Sequence, residues 1–235
     1  MATDVTRREF LGKAGIAGAA GTGLAMAAAE TRAAEAKPVK IIAVCCSPRK
    51  GKSTATALGV CLDAAKEAGP KIAVELIELA GMEIDGSLAA GIPLEPGRKD
   101  DFPALVPKLA DPQVGGIIVG TPVYFGNMSS LCKAFLDRCI VFRKNKFALA
   151  NKVGGVLAVG GCRNGGQEMT IRSVQTALMC QEMILVGDGQ PGAHFGATVW
   201  NDKNVGDVTK DAFGMGTAKN LGRRVAEVAM RCRAR

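Results

Sequence analysis

From Val39 onward, unbroken apolar runs alternate with stripes at helical spacing. Val39 to Cys45 reads VKIIAVC, with almost no polar interruption, which predicts a strand covered on both faces. Ser53 to Ala68 carries a helical stripe and stops at Gly69-Pro70. Ile72 to Glu78 alternates and predicts a second strand. Gly81 to Lys99 is a Gly- and Pro-rich loop, and Asp101 to Ala110 a short helix with Pro103 in its first turn. Val114 to Gly120 is a third strand, and Ser129 to Val141 a helix striped by Leu131, Phe135 and Cys139. Val153 to Val159 predicts a fourth strand, Gln167 to Cys180 a helix, and Met183 to Val186 a short fifth strand. Asp188 to Asp207 reads as irregular. Thr209 to about Arg231 closes the chain as a helix striped by Ala218, Leu221, Val225, Val228 and Ala229.

Strands alternating with helices imply an α/β domain, a doubly wound parallel sheet with helices on both faces. One such domain accounts for residues 37–235. Sheets of this kind take ligands outside the C-terminal ends of their strands, where the strand order reverses. The Gly-rich segments of this chain fall in those places.

Residues 1–36 have a different character. Arg7-Arg8 precedes a small-residue run from Ala14 to Ala29, and Ala34-Glu35-Ala36 is an Ala-x-Ala site before Lys37. This is the layout of a bacterial export signal, and TRREFLGK resembles the twin-arginine class. The expectation is a signal peptide over 1–36 and a periplasmic mature protein. The run is too rich in Gly and Ala for a membrane span of about 20 strongly apolar residues.

The formal charge of +8 changes little. Aromatics are 4% of the chain and do not interleave with a basic cluster, so a solvated basic surface is expected rather than a nucleic-acid partner. The eight cysteines form no C-x-x-C, and the single His194 cannot make a zinc site alone. Cys61, Cys139 and Cys180 are expected in the core.

Three loops carry the candidate chemistry. The first, Cys45 to Leu58, joins strand one to helix one. Ser47, Ser53 and Thr54 offer hydroxyls, Arg49 and Lys52 positive charge, and the helix start unpaired amides, a set suited to a phosphate monoester. Its GKS string is not a P-loop, because Cys46 stands where that motif needs glycine. The second loop, leaving strand three, presents Pro122, Val123, Tyr124, Phe125, Gly126 and Asn127: flat apolar surface beside backbone amides. Ser129 is expected to cap the next helix, and Lys133 and Arg138 to solvate it. The third, after strand four, holds Gly161, Cys162, Arg163, Asn164, Gly165 and Gly166. With hydrogen bonds from Asn164 and Gln167 it suits the far side of a planar ligand, with Arg163 near its charge. Cys46 and Cys162 flank the same place.

The segments SPRKGKSTATAL, TPVYFGNMSSLCKAFLDR, GGQE and GATVWNDK resemble the NAD(P)H-dependent FMN reductase family, the flavodoxin-like group that also contains iron–sulfur flavoproteins. The resemblance implies a five-stranded sheet of order 2-1-3-4-5, bound FMN and a homodimer or homotetramer. It implies the phosphate on Ser47, Arg49, Ser53 and Thr54. It implies the isoalloxazine ring against Pro122 to Asn127, with Gly161, Gly165 and Gly166 nearby. The chain departs from the iron–sulfur members, since Ala80 to Val114 contains no cysteine. The expected function is an FMN-dependent oxidoreductase. It would pass electrons from NAD(P)H or a periplasmic donor to a quinone, flavin, metal or protein acceptor. The alternative is a flavin-bearing electron carrier without its own nicotinamide turnover.

Overall fold

The computed structural model describes residues 38–202 and 207–233. The expected export segment, 1–36, lies outside them. Four strands run through the middle of the chain: β1 (Val39–Cys45), β2 (Ile72–Glu78), β3 (Val114–Tyr124) and β5 (Val153–Gly160). Three short ones complete the set: β4 (Asn127–Met128), β6 (Ile184–Leu185) and β7 (Ala197–Trp200). The helices are α1 (Ser53–Glu67), α2 (Val106–Ala110), α3 (Ser130–Arg138), α4 (Ile140–Lys144), α5 (Gln167–Met179) and α6 (Ala212–Arg233).

The main path of the sheet is β2-β1-β3-β5-β6, the flavodoxin-like order. The sheet has seven strands rather than the expected five, because β4 pairs with β3 and β7 with β5. The third strand also runs four residues past its expected end. Pro122 sits inside it without breaking the ladder, because β1 stops at Cys45 opposite Gly120 and leaves no neighbour there to need an N–H. The segment read as irregular, Asp188 to Asp207, contains β7; its Gly- and Pro-rich lead-in hides a four-residue strand. The expected helix from Ser129 divides at Cys139 into α3 and α4.

Two apolar layers cover the sheet. On one face, α1 and α6 lie on Val, Ala and Leu side chains. They come close because glycine stands opposite them: a Cβ on Gly116 would lie 2.6 Å from Val225, and one on Gly120 2.6 Å from Leu58. The other face is built on Phe102, Phe135 and Phe142. Full burial of Phe102 and Phe142 contributes about 2–3 kcal/mol each. Arg138 is not solvated as expected. It makes two bonds to the Asp100 carboxylate, at 2.8 and 2.7 Å, and lies over the Phe102 ring. That guanidinium holds the Asp100 carboxyl below its usual range. Cys61 and Cys139 are core residues, but Cys180 is exposed, because α5 ends at Met179 and leaves it on the surface cap. No helix among the described residues is long and apolar enough to cross a membrane.

The parallel register lines up the C-terminal ends of the strands. Cys45 stands beside Glu78 and Gly120, Pro122 beside Val159, and Gly160 beside Trp200. The three candidate loops leave from this one rim.

Candidate functional site

The first loop begins at Cys46, whose N–H donates to the Gly120 carbonyl at 2.8 Å and so pins the loop to β3. The Ser47 hydroxyl accepts the Arg49 N–H at 3.1 Å, which closes a tight local turn. Gly51 follows with φ +63°, a left-handed conformation that glycine adopts without strain, and its N–H donates to the Glu78 carboxylate at 2.7 Å. Glu78 was not anticipated from sequence. It ties the first loop to the end of β2. Helix α1 then starts from Lys52 with no side-chain cap, so its first amides face the loop without an internal partner. Ser53 is half-buried, Thr54 is buried, and Arg49 and Lys52 are exposed beside them.

The second loop is a β-hairpin rather than an open loop. Val123 pairs with Met128 and Tyr124 with Asn127, leaving Phe125 and Gly126 at the tip. Both tip residues have positive φ, 50° and 74°, as a type I′ turn requires. Phe125 is fully exposed and Tyr124 partly so, while Pro122 is buried. Ser129 latches this hairpin to the first loop. Its hydroxyl donates to the Cys46 carbonyl at 2.7 Å and accepts the Cys132 N–H at 3.1 Å, which makes it the cap of α3 as expected.

The third loop is held by Gln167, a buried residue. Its Nε2 donates to the Cys162 carbonyl at 2.7 Å, and its Oε1 accepts the Gly165 N–H at 2.9 Å. Gly166, with φ +93°, touches the hairpin: a Cβ there would lie 2.9 Å from Gly126 Cα. Loops two and three therefore meet backbone to backbone. Arg163 is not aimed at a ligand's charge as expected. It pairs with Asp211 at 2.8 Å and lies over Trp200 and Phe213. Burial tends to raise the Asp211 pKa. Arg163 and the amides of Gly214 and Trp200 outweigh that and leave it below the usual carboxylate range.

The thiols divide in the same way. Cys46 is completely buried, and burial, with Cys132 beside it, pushes its pKa well up, so it offers no thiolate to a ligand. Cys162 is exposed in the third loop. His194 is fixed by Asp188, Nδ1 lying 3.1 Å from Oδ2. It lines a cleft of about 540 Å³ with Arg163, Trp200 and Phe213, which contains no residue of the first loop or the hairpin. Asn164 and Gly166 also line it, so the cleft adjoins the rim on the side of the third loop.

Residues 39–198 match the sequence pattern of the NADPH-dependent FMN reductases. The chain belongs to that family. It is 40% identical over 193 residues to an iron–sulfur flavoprotein of Methanocaldococcus jannaschii, covering 81% of this chain and 97% of the relative. It is 36% identical over 182 residues to an NAD(P)H dehydrogenase (quinone) of Paracoccus denitrificans, covering 70% of this chain and 82% of the relative. The fold is shared with the flavodoxin WrbA-like protein of Agrobacterium tumefaciens, at a TM-score of 0.56 and 18% identity over 82% of this chain and 98% of that one. The protein is thus an FMN-dependent oxidoreductase.

The rim fits the mononucleotide in chemistry. At one end stand an uncapped helix start and the side chains of Ser53, Thr54 and Lys52, suited to a phosphate. At the other, Tyr124 and Phe125 expose flat apolar surface, and Gly126 has open space where a side chain would stand. Among the described residues, no group of three or more His, Cys, Asp or Glu side chains is placed to hold a metal. Sequence reasoning assigned Gln167 to a ligand, whereas its side chain ties the third loop, and it missed Asn201, which immediately follows β7. Both lay within the matched strings GGQE and GATVWNDK, which fix a residue's type but not its partner.

Proposed function

We propose that the protein reduces a quinone-class acceptor with electrons from NAD(P)H or a periplasmic donor, by way of FMN held at this rim, after export by the twin-arginine route. The observation that carries the reading is the convergence of three loops on one strand-end rim. Ser129 joins the first to the second, and the Gly126–Gly166 contact joins the second to the third. The quinone is favoured among acceptors by the Paracoccus relative, which is named as an NAD(P)H dehydrogenase (quinone).

Bound FMN supplies the electron chemistry. The chain's own work is to bind and orient. The α1 amides and the hydroxyls of Ser47, Ser53 and Thr54 take the phosphate, with Arg49 and Lys52 supplying opposite charge. Pro122, Val123, Tyr124, Phe125, Gly126 and Asn127 form the shelf for the ring. Gly161, Cys162, Gly165 and Gly166 close its other side. The exposed Phe125, Met169 and Phe213 support assembly as a homodimer or homotetramer.

An anaerobic absorbance titration of the purified protein tests the reading. Flavin absorbance should bleach on stoichiometric NADH or NADPH and return on adding benzoquinone. A colourless protein that takes up no FMN would overturn the reading. Bleaching by a redox-protein partner but not by nicotinamide would make the protein a carrier. Export is tested separately: replacing Arg7 and Arg8 by Lys should leave the protein in the cytoplasmic fraction.

A further inference from the structure

Asn201 joins two parts of the rim that sequence leaves far apart. Its backbone N–H donates to the Gly160 carbonyl at 2.9 Å, one step beyond the β5–β7 ladder, so the sheet itself sets its position. Its side chain is 4% exposed. The amide Nδ2 donates to the Ser53 hydroxyl at the first turn of α1. The amide Oδ1 is buried with no hydrogen-bond partner. A buried acceptor left unpaired is costly, and native structures leave few of them.

Each half of the amide has a consequence. A serine oxygen that already accepts from Asn201 has its own proton left to donate, and the ligand-facing side of the first loop is where an acceptor is expected. The orphan Oδ1 needs a donor. The sugar-alcohol chain that links the phosphate of FMN to its ring carries hydroxyls of that kind.

We propose that Asn201 is a positioning residue for the phosphate–ribityl arm of FMN, acting by holding Ser53 as a donor and offering Oδ1 to a ribityl hydroxyl. The inference rests on the FMN reading of the rim. It extends the binding site to β7, a strand outside the three loops.

The test titrates full-length protein, freed of flavin, with FMN, riboflavin and lumiflavin, read by flavin fluorescence. Lumiflavin keeps the ring and lacks both the phosphate and the sugar-alcohol chain. Asn201→Ala should weaken FMN about tenfold, the loss of one to two hydrogen bonds, and leave lumiflavin within about twofold. In a Ser53→Ala background the same change should weaken FMN by clearly less than it does alone, because the two residues act together. Asn201→Asp keeps the shape but sets a carboxylate near the phosphate, so FMN should lose more than riboflavin. Unchanged FMN affinity in Asn201→Ala overturns the proposal. So do an equal loss for lumiflavin, strict additivity with Ser53→Ala, and failure of both Asn201 variants to fold, since each makes Asn201 purely structural. Wild-type protein that binds none of the three flavins defeats the reading of the whole rim; wild-type binding with an indifferent Asn201 defeats this inference alone.

Discussion

The two ends of the rim are finished to different degrees. At the proposed ring end the loops are tied to one another: Gln167 holds the third loop, and Gly126 and Gly166 meet without side chains between them. Even Arg163 is committed to Asp211. At the phosphate end the α1 start is uncapped, Lys52 is exposed and the Asn201 acceptor is unpaired. On the proposed FMN reading, the ring end is shaped before any ligand arrives, whereas the phosphate end is shaped for one. Substitutions at the ring end should therefore register first in stability, and those at the phosphate end first in affinity.

The hardest test of that contrast is Gly166→Val. The new residue must sit at φ +93°, and its Cβ must displace the hairpin tip. The expected cost is about 3 kcal/mol, from backbone strain and the lost loop contact together. Thermal denaturation without flavin should show it. A melting point unchanged from wild type would mean that the two loops do not support one another.

Ser129→Ala comes next. It removes the α3 cap and strands the buried Cys46 carbonyl. The two losses should add to about 2 kcal/mol. Because the latch also sets where the first loop sits, FMN affinity should fall along with the melting temperature. A fall in stability with affinity intact would show that the first loop holds its place without the hairpin.

Lys52→Ala probes the opposite end. Lys52 is exposed and caps nothing with its side chain, so the apoprotein should melt within about 0.5 kcal/mol of wild type. FMN affinity should fall about fivefold, the loss of one charge-assisted contact, and riboflavin affinity should not move. Equal losses for the two flavins would place the phosphate elsewhere.

The same contrast explains what could be read from sequence. The strands β1, β2, β3 and β5 and the starts of α1, α3 and α5 were legible because each depends on a local run of apolar residues. The first loop was legible as a unit because Ser47, Lys52, Ser53 and Thr54 fall within one short stretch between β1 and α1. The ties were not. Arg138 reads as a solvated helix residue until Asp100, 38 positions earlier, is folded against it. Asn201 lies 148 positions from Ser53. β7 was lost because four residues give too short a pattern behind a Gly- and Pro-rich lead-in. The hairpin was lost because Phe-Gly is an unusual pair for a type I′ turn, where Asn-Gly is the familiar signal.

That oddity gives the smallest expected effect. Phe125 holds φ 50°, a region that Asn enters more readily than Phe, and its ring is entirely in solvent, so it gains nothing from packing within the described residues. Phe125→Asn should therefore stabilise the apoprotein by about 0.5–1 kcal/mol while weakening lumiflavin and FMN alike. Opposite signs for stability and ring affinity are what a residue kept for its surface would give. If Phe125→Asn raised the melting temperature and left lumiflavin binding unchanged, the aromatic tip would have no part in seating the ring. The shelf would then reduce to Tyr124 and the neighbouring backbone, and the strained aromatic would have to be explained by contact with another chain.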